Sequence, residues 1–448
     1  MTGITVDGLG VLMKRNGDNR LIFGTNVLLL PQNMLQKLKN VTPADLTIAA
    51  AMLLSVSMIF SPFLLSVGMW LIVAAALWET KRIGLSFKAS IQKLVDHRAF
   101  LMITLLFWVF ALSFWGSEDK GFWLARTRIR IPFLVLPWAF ANLPVLGIKR
   151  YASLIYVFVL VLCMFTAGSL LNFALDTDTI LSGLGEGQPV PVPRNHIRFS
   201  LMIVLAIVSG GWLVGKSDYW SSKIDRNWFA VALVFLFLGV HILSVRSALI
   251  ALYAALGFSI FRYLYLTKNW KVGIFALVLL VSAPIIALNT VGSLKQRVAY
   301  MLYDWQHFRS AEGGESYSDS ERFISLDIGV RIWLDNKITG VGIGDLVQET
   351  QRYTTIFHPF YAETPKLPHN QFIYILAATG LIGLVISLLA LLYPLTIATY
   401  RRFYIFIVFQ VIVFVSFLVE YTLETSIGAA FYLFYMLWWM RMAEEKEQ

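Results

Sequence analysis

The sequence predicts an all-α membrane protein with about twelve transmembrane helices and one large, partly helical domain outside the membrane. Of its 448 residues, 58% are hydrophobic and only 14% are charged, whereas soluble domains carry about 25% charged residues. The mean hydropathy is +0.68. Apolar runs recur that approach the roughly 20 residues a helix needs to cross a bilayer. One long polar stretch, Thr290 to Asn370, interrupts them.

The apolar runs define the predicted spans. In chain order they cover residues 46–60, 62–78, 99–115, 131–146, 152–171, 199–215, 229–245, 247–266, 272–288, 371–395, 403–420 and 426–440. The fourth is the least regular, because Pro132, Pro137 and Pro144 interrupt it. The predicted organisation is an N-terminal segment (1–45), nine helices (46–289), the external domain (290–370), three more helices (371–440) and a tail (441–448).

Basic residues set the predicted orientation, because lysine and arginine accumulate in short cytoplasmic loops. The loops that follow the even-numbered spans contain Lys81, Arg82, Lys88, Lys93, Arg98, Lys149, Arg150, Lys216, Lys223, Arg226, Lys268, Lys271, Arg401 and Arg402. Both termini are then cytoplasmic, and the 290–370 domain lies on the opposite face. These loops account for the net charge of +10 without a nucleic-acid partner.

Several arginines lie on the external side, where this rule disfavours them. Arg126, Arg128 and Arg130 precede the fourth span, and Arg194 and Arg198 precede the sixth. Such side chains either extend to lipid headgroups or bind an anionic ligand, for which a membrane phosphate is the natural candidate. The group at 126–130 is therefore a candidate for contacts with anionic lipid.

Arg246 stands apart from these residues. It interrupts the otherwise continuous apolar stretch from Phe229 to Phe261. A charge in or beside the membrane is costly, so an arginine there is a functional candidate by default. We expect it to bind an anion.

His369 lies where the external domain meets the membrane. Pro368 and Asn370 flank it, and an apolar helix is predicted from Gln371. A helix N-terminus disfavours the imidazolium form, so we expect a neutral ring that can act as a general base. A histidine that only hydrogen-bonds the loop is the alternative.

The sequence predicts neither a metal nor a cofactor. The spacing of His358, Glu363 and His369 matches no helical zinc pattern, and prolines intervene. The only cysteine, Cys163, lies in an apolar run. A single cysteine excludes a disulfide within the chain and a metal site built on cysteines.

Two helices are predicted within the external domain, from Leu294 to Phe308 and from Ser320 to Lys337, the second with Ser320 as N-cap. The glycine-rich run from Gly340 to Asp345 is predicted to end the second helix and to pack closely. No Gly-Lys-Ser/Thr sequence follows it, so it does not predict a nucleotide site.

Three motifs, in this order, resemble the O-antigen ligase family, which shares a domain with O-antigen polymerases. Asn195-His196-Ile197-Arg198-Phe199-Ser200 opens a span. Ser244-Val245-Arg246-Ser247 lies between two spans. The long external loop then leads into Pro368-His369-Asn370-Gln371-Phe372 and Gly380-Leu381-Ile382-Gly383.

The resemblance implies a metal-independent, inverting glycosyl transfer at the periplasmic face of the bacterial inner membrane. The donor would be a glycan on undecaprenyl pyrophosphate, and the acceptor a sugar hydroxyl of lipid A–core or of another glycolipid. His369 matches the proposed base of the family. Arg246 and Arg198 match the arginines that engage pyrophosphate, and Arg194 is a nearby substitute for Arg198.

Two alternatives remain open from the sequence. A polymerase would use the same donor with a growing glycan as acceptor. A transporter or flippase for a lipid-linked glycan should place charges near the bilayer midplane. The notable charges here gather at one external face, which favours an enzyme. The oligomeric state is left open.

Overall fold

The computed structural model of the protein describes residues 41–310 and 318–447, together with two short strands nearer the N-terminus. The strands, β1 (Leu21–Phe23) and β2 (Asn26–Leu28), pair antiparallel with Leu21 opposite Leu28. The rest of the predicted N-terminal segment up to residue 40 lies outside the described residues.

The remaining regular structure in the described part of the chain is helical. The helices before the external domain are α1 (Pro43–Phe60), α2 (Pro62–Arg82), α3 (Phe87–Asp96), α4 (Arg98–Leu112), α5 (Lys120–Ala141), α6 (Ile148–Leu175), α7 (Thr177–Gly185), α8 (His196–Val214), α9 (Lys223–Leu243), α10 (Arg246–Thr267) and α11 (Trp270–Thr290). The others are α12 (Gly292–Ser310), α13 (Ser318–Asp335), α14 (Leu346–Phe357), α15 (Gln371–Thr396), α16 (Ala398–Arg402), α17 (Tyr404–Val419) and α18 (Ser426–Glu447).

Nine helices within the described ranges are long and apolar enough to cross a membrane, namely α1, α2, α4 with its following turn, α6, α8, α9, α10, α11 and α15. Apart from the two short strands, this confirms a helical, multi-pass membrane protein. Helix α17 is apolar but has only 16 residues. Helices α5 and α18 occupy the fourth and twelfth predicted spans, but they are not among the helices that are long and apolar enough to cross a membrane. The total of twelve spans and the external position of 290–370 therefore stay predictions.

The fourth predicted span begins earlier than expected. Helix α5 starts at Lys120 rather than Ile131, after an N-cap in which Asp119 Oδ1 accepts the Phe122 N–H at 2.8 Å. Pro132 and Pro137 lie inside this helix and do not end it, because packed neighbouring helices tolerate the missing N–H groups. Residues 126–130 are therefore part of a helix and not of the loop before it.

Arg130 does not contact lipid, contrary to the expectation from the sequence. Its side chain is fully buried and forms an ion pair with the buried carboxylate of Glu424, in the turn before α18. The guanidinium also lies 3.8 Å from the centre of the Phe110 ring. Arg126 donates a hydrogen bond to the Glu424 carbonyl at 3.2 Å, and Arg128 is exposed. Lipid contacts of these two arginines stay predictions.

We expect Glu424→Ala to destabilise the protein by about 3–5 kcal/mol, because it leaves Arg130 as an unpaired buried charge. The double variant Arg130→Met/Glu424→Leu should recover most of this loss, since it removes both charges from the interior. The thermal unfolding midpoint in detergent measures the loss of stability in Glu424→Ala and its recovery in the double variant. Glu349→Ala is the control: it breaks an exposed pair with Arg352 and should leave the midpoint unchanged. A Glu424→Ala midpoint equal to that of the control would contradict the prediction.

The external domain contains three helices where two were predicted. Helix α12 matches the first prediction. Helix α13 matches the second, but its cap differs: Asp304 of α12 accepts the backbone N–H groups of Asp319 at 2.7 Å and Ser320 at 3.3 Å. Helix α14 was not predicted. Because α13 also packs on α15, the domain is attached to a membrane helix.

The predicted helix from Gln371 to Leu395 is present as α15, but it is broken at one residue. Gly380 has φ 64° and ψ −165°, which breaks α15. The loop at 337–342, which includes the start of the glycine-rich run, supplies the missing backbone partners. Val341 N–H donates to Ala377 O at 3.0 Å, Gly342 N–H donates to Ala378 O at 2.9 Å, and Leu381 N–H donates to Lys337 O at 2.9 Å. A Cβ on Gly380 would lie 2.2 Å from the Ile338 carbonyl oxygen. The predicted close packing of this loop is thus confirmed.

Candidate active site

One cavity of about 480 Å³ collects the ends of several helices. Helix α10 begins there with Arg246, and α15 begins just after His369. The N-terminal part of α13 contributes Arg322, and α17 ends there. The residues that line it therefore come from both the membrane helices and the external domain.

Arg246 forms a two-point ion pair with Asp319 of α13. Nη1 donates to Oδ2 at 2.5 Å, and Nη2 donates to the other carboxylate oxygen. This fork geometry is the one that arginine uses for phosphate as well as for carboxylate. The sequence did not indicate Asp319, because it lies 73 residues away in the chain. The guanidinium is thus oriented to hold two oxygens of one anion.

Two further arginines that the sequence analysis did not single out lie close to Arg246. Arg322 lies 3.6 Å from Asp319 Oδ1 and 3.7 Å from Glu420 Oε1. Arg297 is only 9% exposed and donates to the Gly187 carbonyl at 2.8 Å. Burial is the main cause that lowers the pKa of Arg297, and the positive charge of Arg246 lowers it further. It nevertheless remains charged, as arginines in proteins do. Three arginines are therefore clustered at this end of the cavity, together with the carboxylates of Asp319 and Glu420.

His369 lines the same cavity as Arg246. The predicted helix start beside it is confirmed: Asn370 is the N-cap of α15, and its Oδ1 accepts the N–H groups of Phe372 and Ile373. The backbone N–H of His369 donates to Ser325 Oγ at 3.1 Å. Its Nδ1 atom is buried without a hydrogen-bond partner and lies 3.6 Å from Glu420 Oε1. The role of His369 as a base stays a prediction.

Arg198 and Arg194 have different environments. Asn195 caps α8 by accepting the Arg198 N–H at 3.0 Å, and Arg198 Nε is buried without a partner. Arg198 is close enough to Glu420 to sense its charge. Arg194 is exposed in the loop before α8. Among the residues that the structure describes, neither Arg194 nor Arg198 lines the cavity.

The three residues weighed as metal ligands do not come together. His358 Nε2 lies 2.9 Å from Asp327 Oδ2, which also accepts from Arg331 at 2.7 Å. Burial alone would raise the pKa of Asp327, but these two partners outweigh it and hold the pKa below its ordinary value. Within the described ranges, no group of three or more His, Cys, Asp or Glu side chains is arranged to hold a metal ion.

The rest of the cavity wall is apolar. Ile250 of α10 and Leu418 of α17 are more than half exposed, at 55% and 57%, so this wall opens towards the surroundings of the membrane helices. Trp305 and Phe323 of the external domain line the same cavity, with ring centres 5.4 Å apart. A cavity with arginines at one end and an open apolar wall fits an anionic headgroup on a lipid chain.

Comparison with known proteins agrees with this geometry. Residues 231–388 match the family model of O-antigen ligase, which confirms the resemblance to that family over this part of the chain. The match extends from within α9 into α15 and includes Arg246, Arg322 and His369. The motif at 195–200 lies outside it. No curated protein matches the chain.

Proposed function

We propose that this protein is a membrane glycosyltransferase that ligates a glycan, carried on undecaprenyl pyrophosphate, to a sugar of lipid A–core or of a related glycolipid. The match at 231–388 supports an enzyme of the O-antigen ligase or polymerase type. The observation that carries the proposal is the shared cavity of His369, Arg246 and Arg322 beside an apolar wall. Its proposed location is the bacterial inner membrane, with the cavity on the periplasmic side.

The donor would bind with its pyrophosphate at the arginines and its polyprenyl chain along the apolar wall. Arginine suits this task because it is always charged and binds two phosphate oxygens at once. Arg246 and Arg322 line the cavity directly. Arg297 and Arg198 add positive charge from behind it. Arg194 is exposed and is the weaker candidate of the two arginines that precede α8.

The reaction needs a proton acceptor and a stabilised leaving group. His369 takes the proton from the acceptor hydroxyl as its oxygen attacks the anomeric carbon of the donor glycan. The bond from that carbon to the pyrophosphate oxygen breaks, and undecaprenyl pyrophosphate leaves with the electron pair. The arginines stabilise the charge that develops on it. A single displacement of this kind inverts the anomeric configuration, and no step requires a metal ion.

The test is a reconstituted assay with purified protein, a lipid-linked glycan donor and candidate acceptors, with a metal chelator present. Ligated lipopolysaccharide supports the proposal. Lengthening of the lipid-linked glycan without lipid A–core product would instead identify a polymerase. Absence of transfer with every donor and acceptor would overturn a glycosyltransferase of this type.

We expect a cysteine at Glu363 to react with a membrane-impermeant thiol reagent added from the periplasmic side, and one at Ser221 to remain unlabelled. Both positions are exposed, and they lie on opposite faces in the predicted orientation. The background variant is Cys163→Ala, and labelling is scored in sealed spheroplasts before and after permeabilisation. The reverse pattern would place His369 on the cytoplasmic face and rule out the proposed location.

A further inference from the structure

Glu420 is fixed next to His369 by the ends of two membrane helices. It directly follows α17, and its backbone N–H donates to Ser416 O at 2.9 Å. Two residues earlier, the Leu418 carbonyl accepts a hydrogen bond from Asn370 Nδ2 at 3.0 Å. The residue after His369 is thus bound to the segment that carries Glu420. The relative position of the imidazole and the carboxylate is set by the backbone on both sides.

The two side chains also face each other away from water. The Glu420 side chain is only 12% exposed, and its Oε1 lies 3.6 Å from His369 Nδ1. Nδ1 is buried and makes no hydrogen bond, so Glu420 is the acceptor that this nitrogen faces. The Tyr421 ring packs at 5.3 Å from the imidazole and limits its rotation. A small closing movement would turn the 3.6 Å separation into a hydrogen bond.

A carboxylate in this position decides the tautomer of the ring. An ionised carboxylate only accepts hydrogen bonds, so it favours the tautomer that carries its proton on Nδ1. The lone pair is then on Nε2, the nitrogen left to face the cavity. When Nε2 takes a proton, the carboxylate also stabilises the resulting imidazolium.

We infer that Glu420 is the positioning residue of His369, holding the ring as the Nδ1-protonated tautomer with Nε2 ready to accept a proton. This inference rests on the proposed function, because it assigns the orientation of the proposed base. Glu420 is not one of the residues that line the cavity, so it acts through His369 and not on the substrate.

A counter-ion role for Glu420 predicts different results. Glu420 Oε1 lies 3.7 Å from Arg322 Nη2, so it could serve only to balance the arginines. Removing its charge would then strengthen anion binding and leave the imidazole tautomer unchanged. The positioning role predicts a changed tautomer and a slower transfer step, together with donor binding that is no weaker.

The experiment compares wild type and Glu420→Gln, each labelled with ¹⁵N-histidine and purified in detergent. His369 is assigned by the resonance lost in His369→Gln. We expect wild-type His369 to be mainly Nδ1-protonated and the Glu420→Gln ring to be a mixture of tautomers. Single-turnover transfer in the variant should fall roughly a hundredfold without weaker donor binding. Glu420→Asp keeps the carboxylate and should restore the tautomer. Glu363→Gln, an exposed loop carboxylate, should match wild type.

The outcomes separate the two proposals. An unchanged tautomer in Glu420→Gln overturns the positioning role, even if wild type transfers glycan. Should Glu420→Gln fail to fold, the wild-type tautomer decides: a ring with its proton on Nδ1 supports the inference, and one with its proton on Nε2 overturns it. The tautomer measurement needs no donor, so it remains decisive if wild type transfers nothing. Absence of transfer by wild type would overturn the proposed function and would leave the inference about Glu420 standing.

Discussion

His369→Ala should bind the donor and transfer almost no glycan. Removal of a general base costs about a hundredfold to ten-thousandfold in rate, and this histidine shares the cavity with the arginines proposed to hold the donor. Donor binding should persist, because the pyrophosphate is held by guanidinium groups and the polyprenyl chain by the apolar wall. Single-turnover transfer and donor binding, measured on the same purified variant, test both halves.

His358→Ala is the matched control for this variant. His358 belongs to the same external domain, but its ring pairs with Asp327 and does not line the cavity. It should therefore transfer at a rate close to that of wild type. If His369→Ala also stays within a few-fold of wild type, His369 is not the base, and the arginines alone would have to account for catalysis.

Arg246→Lys should be made normally and lose most of its activity, by about a hundredfold or more at saturating donor. Lysine keeps the positive charge, so the protein still carries a partner for Asp319. It lacks the planar fork that now makes two hydrogen bonds to that carboxylate, and the same fork is what a pyrophosphate requires. The loss should therefore appear in turnover as well as in donor binding.

Arg352→Lys provides the corresponding control on the external domain. Arg352 is exposed, pairs with Glu349 on its own helix and is not part of the cavity wall. Its lysine variant should behave like wild type. Near wild-type turnover in Arg246→Lys would mean that Arg246 pairs with Asp319 to hold α13 in place and does not bind the donor.

The sequence was sufficient for the features that local pattern decides. Hydropathy located helices at the predicted spans, and the polar sequence before Gln371 correctly placed His369 at a helix start. Arg246 stood out because it interrupts an apolar run. Each of these signals is contained in a window of about twenty residues or fewer.

The missed residues depend on contacts between distant parts of the chain. Arg130 was read as a surface charge because its partner, Glu424, lies 294 residues away. The sequence analysis singled out neither Glu420 nor Arg322, because nothing in the residues around them indicates a partner. Only the packing of α13 and α17 against α15 gives these two residues their roles.

Two misses have a local reason. The buried face of α14 includes Thr350 and Thr354, whose hydroxyl groups donate to the carbonyls of Leu346 and Thr350 at 2.7 Å. Their polarity hides the apolar periodicity that indicates a helix. The break in α15 rests on a single glycine in an apolar run, and an isolated glycine is compatible with a continuous membrane helix.

The break at Gly380 also bears on how the newly made protein reaches its final form. In a lipid environment each unpaired backbone N–H or C=O group costs several kcal/mol, and α15 obtains partners for its interrupted turn from the loop at 337–342. That loop is synthesised first and, in the predicted orientation, must already have been translocated across the membrane. The span and the domain therefore complete each other in one step of biogenesis. In that orientation, a chain whose external domain is held back in the cytoplasm would also lack the partners of the interrupted turn in α15.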